Sequence, residues 1–280
     1  MARIVMGNRD GAEALRQARS VLTELNAEWP DVQITQRTVR ADAPGALVEA
    51  LVSESIGIAV HALDTLPLEL PEGVTLAAVA RRQEPRTALV ARKAKELDAL
   101  QEGDVVAVRE GRDTKFLAAL RPDLVATPLT AHLEDDLGRL TRDEVQALLL
   151  PGLTLLMLDQ RNRMDALLAP ETFAPAPGQG AIGLLVRDVD DLAFELAYTL
   201  QHRPSLDRIL AERAFAAALP GKLVGALATV TSDGELTLFG AVAEGGSGLQ
   251  ARVSGDASEA EALGKELAND VLEQLAAIDG

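Results

Sequence analysis

Hydrophobic and polar positions follow two different periods along this chain, and the places where the period switches mark out its elements. Residues 2–7 (ARIVMG) form a short apolar run, and Ala14, Leu15, Ala18, Val21, Leu22 and Leu25 then recur at steps of three and four. That pattern predicts a strand followed by a helix with one apolar face. Residues 31–40 alternate apolar and polar like a half-buried strand, a second helix is expected from about Pro44 to Glu54, and SIGIAVHAL follows as a continuous apolar strand. Strand, helix, strand, helix, strand is the signature of a parallel sheet with crossover helices.

The middle of the chain repeats this arrangement. Residues 104–108 read as a strand, 114–120 as a helix and 124–127 as a short strand before another amphipathic helix, and a dense apolar run from Ala147 to Leu158 is interrupted by Pro151-Gly152. The stretch Ala174-Pro-Ala-Pro-Gly-Gln-Gly-Ala181 breaks all periodicity, as prolines without an N–H and conformationally free glycines do, and a domain crossing is expected there. In the last eighty residues a helix around Leu206–Leu219 leads to two alternating strands flanking Asp233-Gly234, a hairpin signal. Ser258 and Glu261 have capping-box spacing, and Leu263, Leu267, Val271, Leu272 and Leu275 make one apolar stripe. Two α/β lobes joined by crossing segments imply a ligand cleft between them, because open parallel sheets bind at the carboxyl ends of their strands.

Composition narrows the function classes. With 280 residues and 48% hydrophobic content, the chain can fill two or three cores. It contains no run of about 18 apolar residues, and MARIVMGNRD lacks the features of a signal peptide, so a cytoplasmic address without membrane association is expected. The formal charge of −16 and an aromatic content of 2% argue against nucleic acid as a partner. The one basic cluster, Arg81, Arg82, Arg86, Arg92, Lys93 and Lys95, is expected to be a solvated face. There are no cysteines, which excludes disulfides, thiolate ligands, thiol nucleophiles and attachment of any group through a cysteine sulfur.

Several motifs, in order and at compatible spacing, resemble those of hydroxymethylbilane synthase, also called porphobilinogen deaminase. Met6-Gly-Asn-Arg9 with Ala14-Leu-Arg-Gln-Ala18 is similar to that family's opening strand and helix. Ile58-Ala-Val-His61 with Pro67 and Pro71-Glu-Gly73, then Arg82-Gln-Glu-Pro-Arg86, Arg121-Pro-Asp-Leu124, Pro175-Ala-Pro-Gly-Gln-Gly-Ala181 and Ala211-Glu-Arg-Ala-Phe215 continue the resemblance across nearly the whole chain. It implies an α/β fold of three domains: two lobes like periplasmic binding proteins with an interlobe cleft, plus a small C-terminal α+β domain. The expected boundaries are 1–93 with 181–200 for the first lobe, 94–180 for the second and 201–280 for the small domain.

The family builds a linear tetrapyrrole on a dipyrromethane cofactor held through a cysteine thioether, uses an aspartate to stabilise a cationic intermediate, and binds two carboxylates per pyrrole with arginines. The resemblance places Leu223 or its neighbour where that cysteine would stand, in Pro220-Gly-Lys-Leu-Val-Gly-Ala-Leu227. It places Thr65 at the catalytic aspartate and Asp64 at a lysine. Asp64 is then the one substitute acid, although alternation along a strand would point it away from the Thr65 side. Of the arginines, Arg9 and Arg112 survive as candidate ligand-binding residues, while Asp113 stands for a second arginine and the segment 129–136 loses two and gains Glu134, Asp135 and Asp136. Acids near a polyacidic ligand repel it.

The reading is therefore a catalytically degenerate member of this tetrapyrrole-synthesis family, without a cofactor, using the cleft for a small anionic ligand or serving a protein partner in tetrapyrrole synthesis. The alternatives are an active variant with a noncovalently held primer, with Asp64 as its acid, and a small anionic-ligand binder. Arg9 either meets an anion or pairs with Asp10 or Asp42. His61 reads as a satisfied strand-end residue, and His132 and His202 lack metal-ligand spacing with it. Gly178-Gln179-Gly180 reads as a tight crossing turn, and Glu134–Asp136 as a solvated helix start.

Overall fold

The computed structural model describes residues 2–40, 45–109, 111–244 and 247–279. The chain divides into two compact units, residues 1–83 with 180–206 and residues 84–179 with 207–280.

The first unit opens with β1 (Arg3–Arg9), α1 (Ala12–Glu28), β2 (Gln33–Val39), α2 (Ala46–Val52), β3 (Ile58–Ala62) and β4 (Val74–Val79). Met6 and Val60 on the strands meet Ala18, Val21 and Leu25 of α1 in one buried cluster, the residues whose spacing predicts the helix. Pro44, the expected start of the second helix, lies outside the described residues.

In the second unit come β5 (Thr87–Ala91), β6 (Val105–Val108), α3 (Arg112–Leu120), β7 (Val125–Pro128), α4 (Leu133–Thr141), β8 (Ala147–Pro151), α5 (Gly152–Met157) and β9 (Ala166–Leu167). The apolar run 147–158 is thus a strand and a helix that change over at Pro151-Gly152. The chain then returns to the first unit as β10 (Ile182–Arg187) and α6 (Asp191–Tyr198), and α7 (Arg203–Ala217) follows.

Both five-stranded sheets are mixed where the helix-strand rhythm predicts parallel ones. The first runs β2-β1-β3-β10-β4, with β1 parallel to β2 and β3 but β10 antiparallel to β3 and β4. The second runs β7-β6-β8-β5-β9, with β5 antiparallel to its neighbours. The reversed strands adjoin the passages of the chain between the two units. A strand entering a sheet from such a passage need not keep the direction that a helical crossover imposes.

The small sheet is antiparallel, β11 (Val224–Val230), β12 (Glu235–Glu244) and β13 (Ser247–Asp256), and α8 (Ala260–Asp279) packs on it. Gly234 has φ +85, which a glycine adopts without strain, so the Asp233-Gly234 hairpin forms where expected. The strand β13 has no counterpart among the predicted elements. Its sequence SGLQARVSGD carries only modest side chains on the packed face, Leu249, Ala251 and Val253. The approach to the last helix also differs from the capping box: Asp256 caps a short 3-10 turn, Ala257–Glu259, its carboxylate accepting from the Ser258 N–H at 2.8 Å and from its hydroxyl at 2.7 Å. Leu272 departs from the stripe and is 40% exposed. Among the described residues, no helix is long and apolar enough to cross a membrane.

The aromatics are few. Trp29, at the end of α1, donates its indole N–H to the Thr199 hydroxyl at 3.4 Å, and Phe194 and Tyr198 stack on α6 with centroids 5.6 Å apart.

Candidate functional site

The motif residues of the second unit converge on one buried polar network. Glu212, in the middle of α7 and fully buried, accepts from the Gly178 N–H at 2.7 Å and the Ala228 N–H at 2.8 Å. One carboxylate thus ties the crossing segment to β11, which accounts for a fully buried glutamate in α7. Gln179, also fully buried, donates to the Pro85 carbonyl at 2.8 Å and accepts from Arg109 Nη2 at 2.6 Å. Both glycines beside it have positive φ, +82 at Gly178 and +79 at Gly180, so this turn favours glycine on either side of Gln179. Arg213, next to Glu212 on α7, has its pKa held below the usual arginine value by burial.

Arg112 and Asp113 open α3 at the edge of this network. The Arg112 Nε donates to the Val224 carbonyl at 2.7 Å, Nη2 donates to the Ala174 carbonyl, and Nη1 pairs with Asp113. The guanidinium also lies over the Phe116 ring, 4.2 Å from its centroid. Asp113, only 3% exposed at its side chain, takes Arg109 Nε at 3.0 Å on its other oxygen. Arg112 is therefore turned into the protein, where the sequence reading has it facing a ligand. Leu223 is half-buried, immediately before the carbonyl that Arg112 holds.

The acidic segment behaves in a similar way. Glu134 and Asp135 are exposed as expected of a helix start, but Asp136 is buried, accepts twice from the Thr130 N–H at 3.1 and 3.0 Å, and pairs with Arg139 at 3.0 Å. It is a structural cap, which the sequence run alone does not distinguish from its solvated neighbours. The basic cluster is split: Arg81, Arg92, Lys93 and Lys95 are exposed, whereas Arg82 is buried with its N–H on the Ser205 hydroxyl at 2.8 Å. Arg86 forms a two-point pair with Glu84 at 2.7 and 2.8 Å, and this bond raises the Arg86 pKa.

The first unit holds the other candidates. Arg9 is exposed at the end of β1, and its side chain pairs with no described residue, Asp10 included; Asp42, the other expected partner, lies outside the described residues. Beside it the buried Asn8 accepts from Gln36 at 2.9 Å and donates to the Arg9 carbonyl at 2.6 Å. His61 is half-buried with Nδ1 2.7 Å from the Ala62 carbonyl, in keeping with a satisfied strand-end residue. Asp64 and Thr65 lie in a turn after β3, so strand alternation does not govern where they point. Asp64 is half-buried, while Thr65 is exposed and donates to the Ala62 carbonyl at 3.2 Å. No group of three or more His, Cys, Asp or Glu among the described residues could hold a metal ion.

Residues 4–195 match the family model described as porphobilinogen deaminase, dipyromethane cofactor binding domain. A porphobilinogen deaminase of Thermus thermophilus is 44% identical over 97% of this chain and 96% of its own length, and one from Deinococcus radiodurans is 35% identical over 99% and 97%. A lipoprotein of Bacillus subtilis described as methionine-binding has a similar fold, with a TM-score of 0.50 at 10% identity over 71% of this chain and 90% of its own. The match to a dipyrromethane-binding domain overturns the expectation that no cofactor belongs to this chain. That expectation equated cofactor binding with the cysteine bond, and a domain can retain the architecture that receives a group without the atom that tethers it. The residues present do not fit the tethered form: the chain has no cysteine, and the Arg112 nitrogens beside Leu223 are engaged within the protein.

Proposed function

As the chain belongs to the porphobilinogen deaminase family, we propose that it serves tetrapyrrole synthesis by holding a short anionic pyrrole, with a dipyrromethane as the expected guest, without polymerising it. The guest is held by noncovalent contacts. The observation that carries this reading is the buried Asp113, which takes both Arg109 and Arg112 at a position where the family pattern has a further arginine. Each added pyrrole brings two more carboxylates, and arginines spent on Asp113 cannot neutralise them. Desolvating unpaired carboxylates costs several kcal/mol each, about the scale on which a growing chain would be rejected. The same reading gives the protein a cytoplasmic address and a partner among the proteins that make or use these pyrroles. The experiment is incubation of the purified chain with porphobilinogen, followed by acid oxidation. We expect no uroporphyrin above a no-protein control; turnover above that control sinks the reading.

A second reading is favoured by the turn at Asp64 and by the activity for which the relatives are named. In it the chain polymerises porphobilinogen on a noncovalently held primer, with Asp64 as the acid. It requires that Asp64→Asn abolish turnover while the protein stays folded.

A further inference from the structure

We propose that Arg112 is a positioning residue that fastens segment 221–224 to the crossing segment, giving the chain a built-in anchor at the place where the family pattern has its attachment cysteine. The inference stands whether or not the chain turns over porphobilinogen. It rests on the division of one guanidinium among three partners: the Val224 carbonyl, the Ala174 carbonyl and the Asp113 carboxylate. A guanidinium presents its donors in a rigid planar fork, so fixing it against two carbonyls fixes those carbonyls relative to each other. Asp113 and the Phe116 ring set the plane of the fork, the first by pairing with Nη1 and the second by lying beneath it.

The surroundings are shaped to the same contact. Gly225 follows Val224, and a Cβ there would come within 2.5 Å of both Arg112 Nη2 and the Ala174 Cβ. Only a glycine lets the two segments close around the guanidinium. The Ala226 N–H then donates to the Pro175 carbonyl at 2.9 Å, so the backbone continues the join one step further on. At the other end, the Ala243 N–H donates to the Leu223 carbonyl at 3.2 Å, which ties the segment into the small sheet. A stretch of chain without a cysteine is thereby held, through each of these bonds, to other parts of its own unit.

Hydrogen exchange of the full chain, read by mass on peptides covering 220–228, tests this with Arg112→Ala, Arg112→Lys and, as a control, Arg142→Ala, which removes only an exposed pair with Glu144. We expect Arg112→Ala to raise exchange in 220–228 by about tenfold or more, the scale of one lost charge-assisted hydrogen bond, while peptides of α8 exchange at the unsubstituted rate. Arg112→Lys should fail to restore protection, because a single ammonium cannot span both carbonyls, and Arg142→Ala should change nothing. Unsubstituted exchange at 220–228 in either Arg112 variant, or an equal rise across the whole unit, would overturn the proposal. If Arg112→Ala does not fold, Arg112→Lys alone decides between these outcomes.

Discussion

The start of α3 and the turn after β3 both carry a residue that the motif resemblance sets apart from the family's charge pattern, and the fold treats the two residues in opposite ways. At α3, Asp113, which the resemblance aligns with an arginine, is buried between Arg109 and Arg112. In the turn, Thr65, which the resemblance aligns with an acid, is left exposed with a bond to a neighbouring carbonyl. A buried charge must be matched, so its arrival reorganises the groups around it. An exposed hydroxyl imposes no such demand. A change of charge can thus leave either new structure or no trace, depending on burial.

If that contrast holds, substitutions at the two places should differ several-fold in their effect on stability. The largest loss is expected from Asp113→Ala, about 3 to 5 kcal/mol in denaturant unfolding, because it strands a largely buried guanidinium. An effect under about 1 kcal/mol would mean that Arg112 finds other partners and the contrast fails. Glu212→Ala should follow at about 2 to 4 kcal/mol, since it leaves the buried Gly178 and Ala228 N–H groups without their acceptor. In the turn, Thr65→Ala should shift stability by no more than about 0.5 kcal/mol, as exposed positions do; a larger loss would show that the turn depends on its side chains as heavily as the helix start does.

The smallest effect concerns acid. Asp123 accepts two bonds from Arg121, at 2.8 and 2.5 Å, which holds its pKa below the usual 3.8. A depressed carboxylate pKa stabilises the folded state fully above the unfolded value and progressively less as pH falls below it. Asp123→Asn should therefore narrow the stability difference between about pH 6 and about pH 3, and should leave the exposed turn of the other unit unaffected. A pH dependence unchanged in the variant would count against that pair.

Much of the frame was legible in the chain because each element has its own period. The helix α1 and the strands β1 and β3 bury the residues that their spacing selects, and the Asp233-Gly234 hairpin follows from the turn chemistry of its two central residues. The strands β10 and β13 were less visible. The first follows directly on the crossing and takes its direction from the sheet it joins, and the second packs with small or isolated apolar side chains. At the candidate site, the motifs located Arg112, Glu212 and Gln179 but not what they bond to. Arg112 reads as a ligand residue from its family position, and only the nearness of Ala174 and Val224 redirects it. Asp136 likewise looks like its solvated neighbours until the fold brings the Thr130 N–H to it.

Trp29 and Tyr198 are the chain's one tryptophan and one tyrosine, and both belong to the unit formed by 1–83 and 180–206. Near-ultraviolet emission excited at the indole therefore reports on that unit alone. The network of Arg112, Asp113 and Glu212 lies in the other unit, which has no indole to emit. Unfolding followed by emission and by far-ultraviolet dichroism will coincide only if the two units melt together, which gives a label-free measure of how far a change at Asp113 is felt across the molecule.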